Sequence, residues 1–356
     1  MEMMLSACFQ SKTGKITVGA DHNYLKSMVR YHGIRPQFLD FLHQNKLEVN
    51  FQKTLGQECQ QIAIVNLLSV KELGKLSDSL KDDEVRCFAY KGSVWASWLY
   101  GNVVKREFGD IDLLIERRSL SKALKIMAGQ GYRPDPYREY LLKTPDRTKG
   151  FFRTDYHIPL ENTSVATSSM VELHWQVAYP RLKFDFPENE WEQYQADCLL
   201  HGSMFNAFKN EYQFLLLLVH HGGKEQWSRI KYIADFAAYM IRHGSQTNWH
   251  LVENLAREKG IYTLLIKSLG LLKSLGIKWN SAWPEPTEAV DINPYVKLWL
   301  EMPPQAENST WPYFVHGLTV HDGLKHKSKV LFGHLAYFME VRLLYNKMRW
   351  YADNPS

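Results

Sequence analysis

The segment Gly109-Asp110-Ile111-Asp112-Leu113-Leu114-Ile115 restricts what this chain can fold into more than any other stretch. Its apolar residues read as a buried strand, and strand side chains two positions apart point to the same face. Asp110 and Asp112 are then expected to project together while Ile111 and Leu113 enter the core. Two carboxylates held so close repel each other unless a cation stands between them. Hard oxygen ligands of this kind suit Mg2+, which keeps some of its water and completes its shell from phosphate groups. Phosphoryl chemistry with two metals needs a further carboxylate. Glu172, within Met170-Val171-Glu172-Leu173-His174-Trp175, has apolar neighbours and can project from a second strand. Asp155 and Asp185 sit in more polar, turn-like contexts and are weaker alternatives. His174 is expected on the face opposite Glu172, in a structural role.

An anion cradle is expected upstream. Lys91-Gly92-Ser93 falls between a short apolar strand at residues 86–91 and a helical segment that ends near Gly101. The backbone N–H groups that open a helix attract anions, and Gly92 has no side chain to obstruct the approach. Ser93 adds a hydroxyl, and Arg106, four residues before Asp110, can bring positive charge to a triphosphate. A DxD pair alone is common, and Gly-Ser before a helix is usually a turn with an N-cap. The specific signal is the succession: strand, Gly-Ser, helix, DxD strand, then a later strand with a single Glu.

The rest of the chain supplies helices on both sides. Apolar residues recur at helical spacing from about Asn23 to Leu80, with Leu55, Cys59, Ile62, Leu73, Leu76 and Leu80 on one stripe that Asn66 and Ser69 interrupt. The polar run at residues 77–84 reads as a boundary. A strand is expected at 110–115, then a helix near Leu120 to Ala128, and the stretch from Tyr137 to Val177 reads as turn residues mixed with strands within 155–160 and 170–177. Helical periodicity returns near Phe205, and the proline-rich stretch 280–311 reads as loop. These divisions predict three regions: helical 1–80, mixed α/β 81–204 and helical 205–356. The last stretch reads as one helix with an apolar stripe at Leu331, Leu335, Phe338, Val341 and Met348 amid Lys327, Lys329, Arg342, Lys347 and Arg349. Packing on the rest of the protein is its expected role, with peripheral membrane contact the lesser reading.

Composition excludes some classes. Net charge is +5, too mild for a committed nucleic-acid binder, and no apolar run approaches the ~18 residues of a membrane span. Cys8, Cys59, Cys87 and Cys198 form no CxxC pair, which favours reduced thiols in the cytoplasm. Ser11-Lys12-Thr13-Gly14-Lys15-Ile16-Thr17 superficially matches a P-loop but lacks its first glycine and has Ile16 where a hydroxyl must reach Mg2+.

Taken together, KGSVWASWLYG, Arg106 with GDIDLLI, VELHW, YHIPL and LLLLVHHGGKEQWSRIKYIADFAAYM resemble the uncharacterised nucleotidyltransferase family of the polymerase-beta-like nucleotidyltransferase superfamily. The likeness covers roughly residues 23–242 and departs at Lys224, where many members have His. It implies an α+β fold: a polymerase-beta-like core, a mixed sheet with helices, flanked by N- and C-terminal helical regions. It also implies an NTP substrate such as ATP, a divalent metal (two Mg2+, with Mn2+ possible) and nucleotidyl transfer to an acceptor it does not specify. Asp110, Asp112 and Glu172 would then be metal-binding and catalytic, and Lys91, Gly92, Ser93, Arg106 and Lys224 would hold the nucleotide. His220, His221, Trp227, Arg229 and Asp235 are candidates to line the nucleotide or acceptor cleft, against the more ordinary reading that the His pair ends one helix and Asp235 helps to orient the next. The competing reading is a nucleotide-binding scaffold without turnover.

Overall fold

The computed structural model describes residues 1–9, 21–162, 170–301 and 310–354. The P-loop-like segment at 11–17 and the prolines at 303 and 304 lie outside the described residues. The fold is α+β, with 16 α-helices among the described residues around a mixed five-stranded sheet and a separate hairpin. The strands are β1 Cys87–Tyr90, β2 Asp110–Ile115, β3 Arg133–Pro134, β4 His157–Glu161, β5 Met170–His174, β6 Gln195–Leu200 and β7 Ser203–Phe208. The sheet runs β1-β2-β5-β4-β3, and β2 and β5 form its one parallel pair among the described strands.

Register decides which side chains meet. Asp112 stands opposite Glu172, and His174 stands opposite both Leu114 on β2 and His157 on β4. Asp110, Asp112, Glu172, His174 and His157 therefore share one face. Ile111, Leu113, Val171, Leu173 and Ile158 fill the other and are buried. His174 is thus not on the face opposite Glu172. It lies two residues along a regular strand, and the period of two brings it back to the same side.

The long helix Gln52–Asp82 packs against β1, β2 and β7. Its stripe is buried at Leu55, Leu73, Leu76 and Leu80, whereas the neighbouring Ile64, Val65, Leu67 and Leu68 face solvent. The polar run at 77–84 forms the last turns of this helix, which continues to Asp82. Asn66 interrupts the stripe for a reason: its Nδ2 donates to the carbonyls of Val103 at 2.7 Å and Arg106 at 2.8 Å, inside the core. That bond pair pins the loop leading into β2.

Several elements go beyond the expected pattern. Two helices, Pro136–Leu142 and Pro145–Thr154, stand where turns and strands are expected, each opened by a proline whose missing N–H costs nothing at a helix start. Asn293–Leu300 uses Pro294 in the same way within the supposed proline loop. The β6–β7 hairpin turns through His201 (φ 47°) and Gly202 (φ 88°), the two positive φ values a tight hairpin turn requires. The final stretch is two helices, Gly323–Phe338 and Val341–Asp353, and its apolar stripe faces solvent. No helix among the described residues is long and apolar enough to cross a membrane.

Replacing Asn66 with Ala should destabilise the protein by roughly 2–3 kcal/mol, since two buried carbonyls lose their donor. Urea unfolding of both proteins measures the difference; an unchanged midpoint would mean that water replaces the amide.

Candidate active site

Lys91 opens the site. It leaves β1 with φ 54° and ψ −136°, a region that L-residues rarely adopt, and immediately caps the helix Gly92–Tyr100. Gly92 follows at φ +34°, and a Cβ there would stand 3.2 Å from the carbonyl oxygen of Asp110. Only glycine lets the turn lie this close to β2. The result drives the Lys91 ammonium onto Asp112: Nζ is 2.6 Å from Oδ1, with both side chains buried. The Lys91 ammonium also lies 5.0 Å from the centre of the Tyr90 ring. Ser93 is buried in the first turn of the helix.

Asp112 is the hub of the sheet face. His174 Nε2 donates to Asp112 Oδ1 at 2.8 Å and lies 3.1 Å from Glu172 Oε2, so one N–H bridges two carboxylates. His157 stacks on His174 at 5.2 Å and brings its Nε2 to 3.6 Å from Glu172 Oε1. Burial alone would raise both acids. Lys91 and His174 overcome it at Asp112, and the His174 bond leads the groups that hold the Glu172 carboxyl far below its usual range. Asp110 behaves oppositely. The charge of Asp112, then burial, push its carboxyl up to about 6 despite the opposing Lys91.

This group is a candidate cation site. Asp112, Glu172 and His174 can each present one ligand atom within 4.8 Å of the others. Asp110 adds a carboxylate whose ionisation the charge of Asp112 and burial resist. A group of buried carboxylates with one imidazole could bind a divalent ion, and the oxygen donors favour Mg2+ or Mn2+. Asp155 lies 3.6 Å from His157 Nδ1, outside this group, and Asp185 is on the surface near Lys329.

A second buried carboxylate, Asp235, holds the helical side. Arg106 Nε lies 3.0 Å from both of its oxygens, Arg106 Nη2 is 2.9 Å from Oδ2, and the Tyr100 hydroxyl donates to Oδ1 at 3.0 Å. The Arg106 charge is therefore engaged inside the fold instead of being presented to the cleft. His221 Nε2 donates to Asp235 Oδ2 at 2.9 Å, and its Nδ1 lies 2.9 Å from Nδ1 of His220. Burial keeps His221 neutral, its imidazole lowered to about 4, and burial with Lys91 lowers His220 as well. A neutral His221 that donates to Asp235 must accept at Nδ1. His220 then donates there and keeps its Nε2 as an acceptor. Trp95, fully buried, touches both rings edge-on at 5.7 and 5.3 Å.

The π-helix Val219–Lys224 carries these histidines and ends at Lys224, whose Nζ pairs with Glu225 at 2.9 Å and sits 5.2 Å from the Tyr156 ring centre. Gly223 cannot be larger, because a Cβ would meet Phe184 at 2.5 Å. Trp227 is core, stacked on Phe236, while Arg229 lies over Tyr31 at 5.1 Å. Sequence reasoning misses Lys231. It lines a cleft of about 400 Å³ with Arg229, Glu107, Phe108 and Gly109, at the start of β2. Burial lowers its ammonium, and the charge of Asp110 acts in the other direction. Lys231 stands one helical turn before Asp235, and that spacing gives no hint that it faces the start of a strand.

The comparisons agree with the pattern. A family model described as uncharacterised nucleotidyltransferase matches residues 19–276, which includes both carboxylate hubs. No curated protein and no solved structure matches the chain.

The two aspartates should respond oppositely to amidation in metal-free buffer. The raised Asp110 carboxyl means that the folded state holds its proton more tightly, so this contribution to stability is complete below about pH 4 and lost as pH rises through about 6. Asp110→Asn should therefore be more stable than the parent at about pH 7.5, by about 3 kcal/mol, and lose that advantage near pH 4. Asp112→Asn strands the buried Lys91 ammonium and should cost on the order of 3 kcal/mol. Thermal melts of the three proteins in EDTA across this pH range check both signs.

Proposed function

This chain belongs to the uncharacterised nucleotidyltransferase family, and on that premise we propose that it transfers an NMP group from an NTP such as ATP to an acceptor hydroxyl at a polymerase-beta-like site. The observation that carries the reading is the meeting of Asp112, Glu172 and His174 with Lys91 at the Gly92 turn, on one face of the sheet. In this reaction the hydroxyl oxygen bonds to the α-phosphorus and gives its proton to solvent, the bond from that phosphorus to the bridging oxygen breaks, and pyrophosphate leaves. Held by Asp110, Asp112 and Glu172, two Mg2+ ions, or Mn2+, would neutralise triphosphate charge and lower the pKa of the attacking hydroxyl.

The protein's own groups orient the substrate. The N–H groups of the Gly92–Ser93 turn would hold the β and γ phosphates, and Lys224 and Lys231 would add charge to them. Lys91 holds Asp112 ionised and in one rotamer. Arg106 acts at a distance: by clamping Asp235 it fixes the helix Ile230–His243, and so Lys231 at that helix's first turn. The depressed Glu172 carboxyl stays ionised at neutral pH, which suits a ligand better than a proton acceptor. The acceptor is a hydroxyl of a small molecule, sugar, peptide or protein. Nothing here calls for stable nucleic-acid binding, and the four cysteines, all free thiols, suit a cytoplasmic setting.

A second reading, nucleotide binding without turnover, draws on Lys91 occupying Asp112 Oδ1. Labelled NTPs incubated with the protein, Mg2+ and a metabolite pool separate the two. The enzyme reading expects label in a product and none in EDTA. Glu172→Gln should keep most of the Mg2+-dependent nucleotide affinity measured by calorimetry and lose transfer by several orders of magnitude. Normal turnover in a folded Glu172→Gln protein would remove Glu172 from the reaction.

A further inference from the structure

The helices Gly323–Phe338 and Val341–Asp353 lie beyond the residues that the family model matches, and each turns an apolar stripe outward. On the first, Leu324, Leu331, Leu335 and Phe338 recur at helical spacing and are all exposed, Leu324 to 87%. On the second, Val341, Tyr345 and Met348 do the same at 67%, 61% and 73%. These are not stripes awaiting a place in the core. The inward faces are already used: Val330, Gly333 and His334 are buried on the first helix, with Gly333 pressed against Arg181. The second is held by the pair Glu340–Arg153 at 2.7 Å and by Trp350 against Tyr137 at 5.2 Å. Met339, between the two helices, is 79% exposed and joins the stripes.

Charge says what covers this face. Lys325, Lys327 and Lys329 border the first stripe, and Arg342, Lys347 and Arg349 border the second. The only acids from residue 323 to residue 353 are Glu340, engaged with Arg153, and Asp353, 3.7 Å from Arg349. Six basic residues against two acids account for most of the chain's +5. A two-fold dimer sets a patch against itself, so these rims would meet basic on basic. An anionic phospholipid surface takes both parts, with apolar side chains at the acyl boundary and ammonium groups among the headgroup phosphates.

We propose that the outward face of these two helices is a docking surface for anionic phospholipid membranes. The helices lie flat on the bilayer and do not cross it. Docking adds a location to the protein and does not depend on the nucleotidyl-transfer reading, so vesicle binding is measured without nucleotide.

The test is co-flotation of the full chain with phosphatidylcholine vesicles, with and without phosphatidylglycerol. Binding should require phosphatidylglycerol and weaken steeply with added salt. Lys325→Gln, Lys327→Gln and Lys347→Gln combined should lower partition on the order of a hundredfold. Leu335→Gln with Phe338→Gln should also release the protein, and neither set should change the melting temperature, because all five side chains are on the surface. Three results would each overturn the proposal: no flotation with anionic vesicles at low salt, equal flotation with neutral and anionic vesicles, or a stable dimer in ultracentrifugation that the Leu335 and Phe338 substitutions dissociate.

Discussion

The ion pair between Lys91 and Asp112 is the constraint on which the rest of this structure turns. Burying two charges is unfavourable unless they meet at close range and their remaining valences are filled. The protein meets that condition by forcing the backbone of Lys91 into a left-handed turn and by keeping residue 92 without a side chain, so that the ammonium reaches Oδ1. His174 completes the shell of Asp112 and carries its effect to Glu172. What looks like a binding loop, a metal strand and a third motif is one electrostatic unit, assembled from three separated stretches by the register of a parallel strand pair.

Asp235 forms a counterpart on the helical side. Its oxygens collect Arg106 from the loop before β2, Tyr100 from the helix after the Gly92 turn, and His221 from the π-helix. Trp95 stands between the two units, with Tyr90 at 5.8 Å on one side and His221 at 5.3 Å on the other. The sheet and the helices are thereby coupled through a buried aromatic wall. Displacement of the helix Ile230–His243 would disturb both the Arg106 clamp and the Lys231 side of the cleft.

Much of this is legible in the sequence because strands obey a period of two and the segments around them are short. The DxD strand, its Lys-Gly-Ser turn and the Glu172 strand need no long-range information beyond their order. What cannot be read is which charged side chain finds which partner. Arg106 looks available for phosphate because its partner lies 129 residues away. A misapplied parity puts His174 on the wrong face, and the cross-strand partners Leu114 and His157 correct it. The helices at 136–142 and 145–154 are hidden by prolines, which mark starts as well as stops. The apolar stripe near the last described residues is expected to be packed, since hydrophobicity alone does not say on which side of a helix the protein lies.

The π-helix Val219–Lys224 turns chain length into a geometric variable of the site. Its wider turn, closed by i→i+5 bonds, takes in one residue more than an α-helix of the same rise. That surplus lets the adjacent His220 and His221 both touch Trp95 while the segment still delivers Lys224 beside Tyr156. Deleting a single residue here would restore α pitch and spare the helix as a helix. The flanking residues would keep their phase, and the loss would fall on the segment itself, where His220, His221 and Lys224 could not all hold their present contacts. For this segment, an indel is a local change in which side chain stands where, and its reading frame of side chains is as much a property of the cleft as any residue in it.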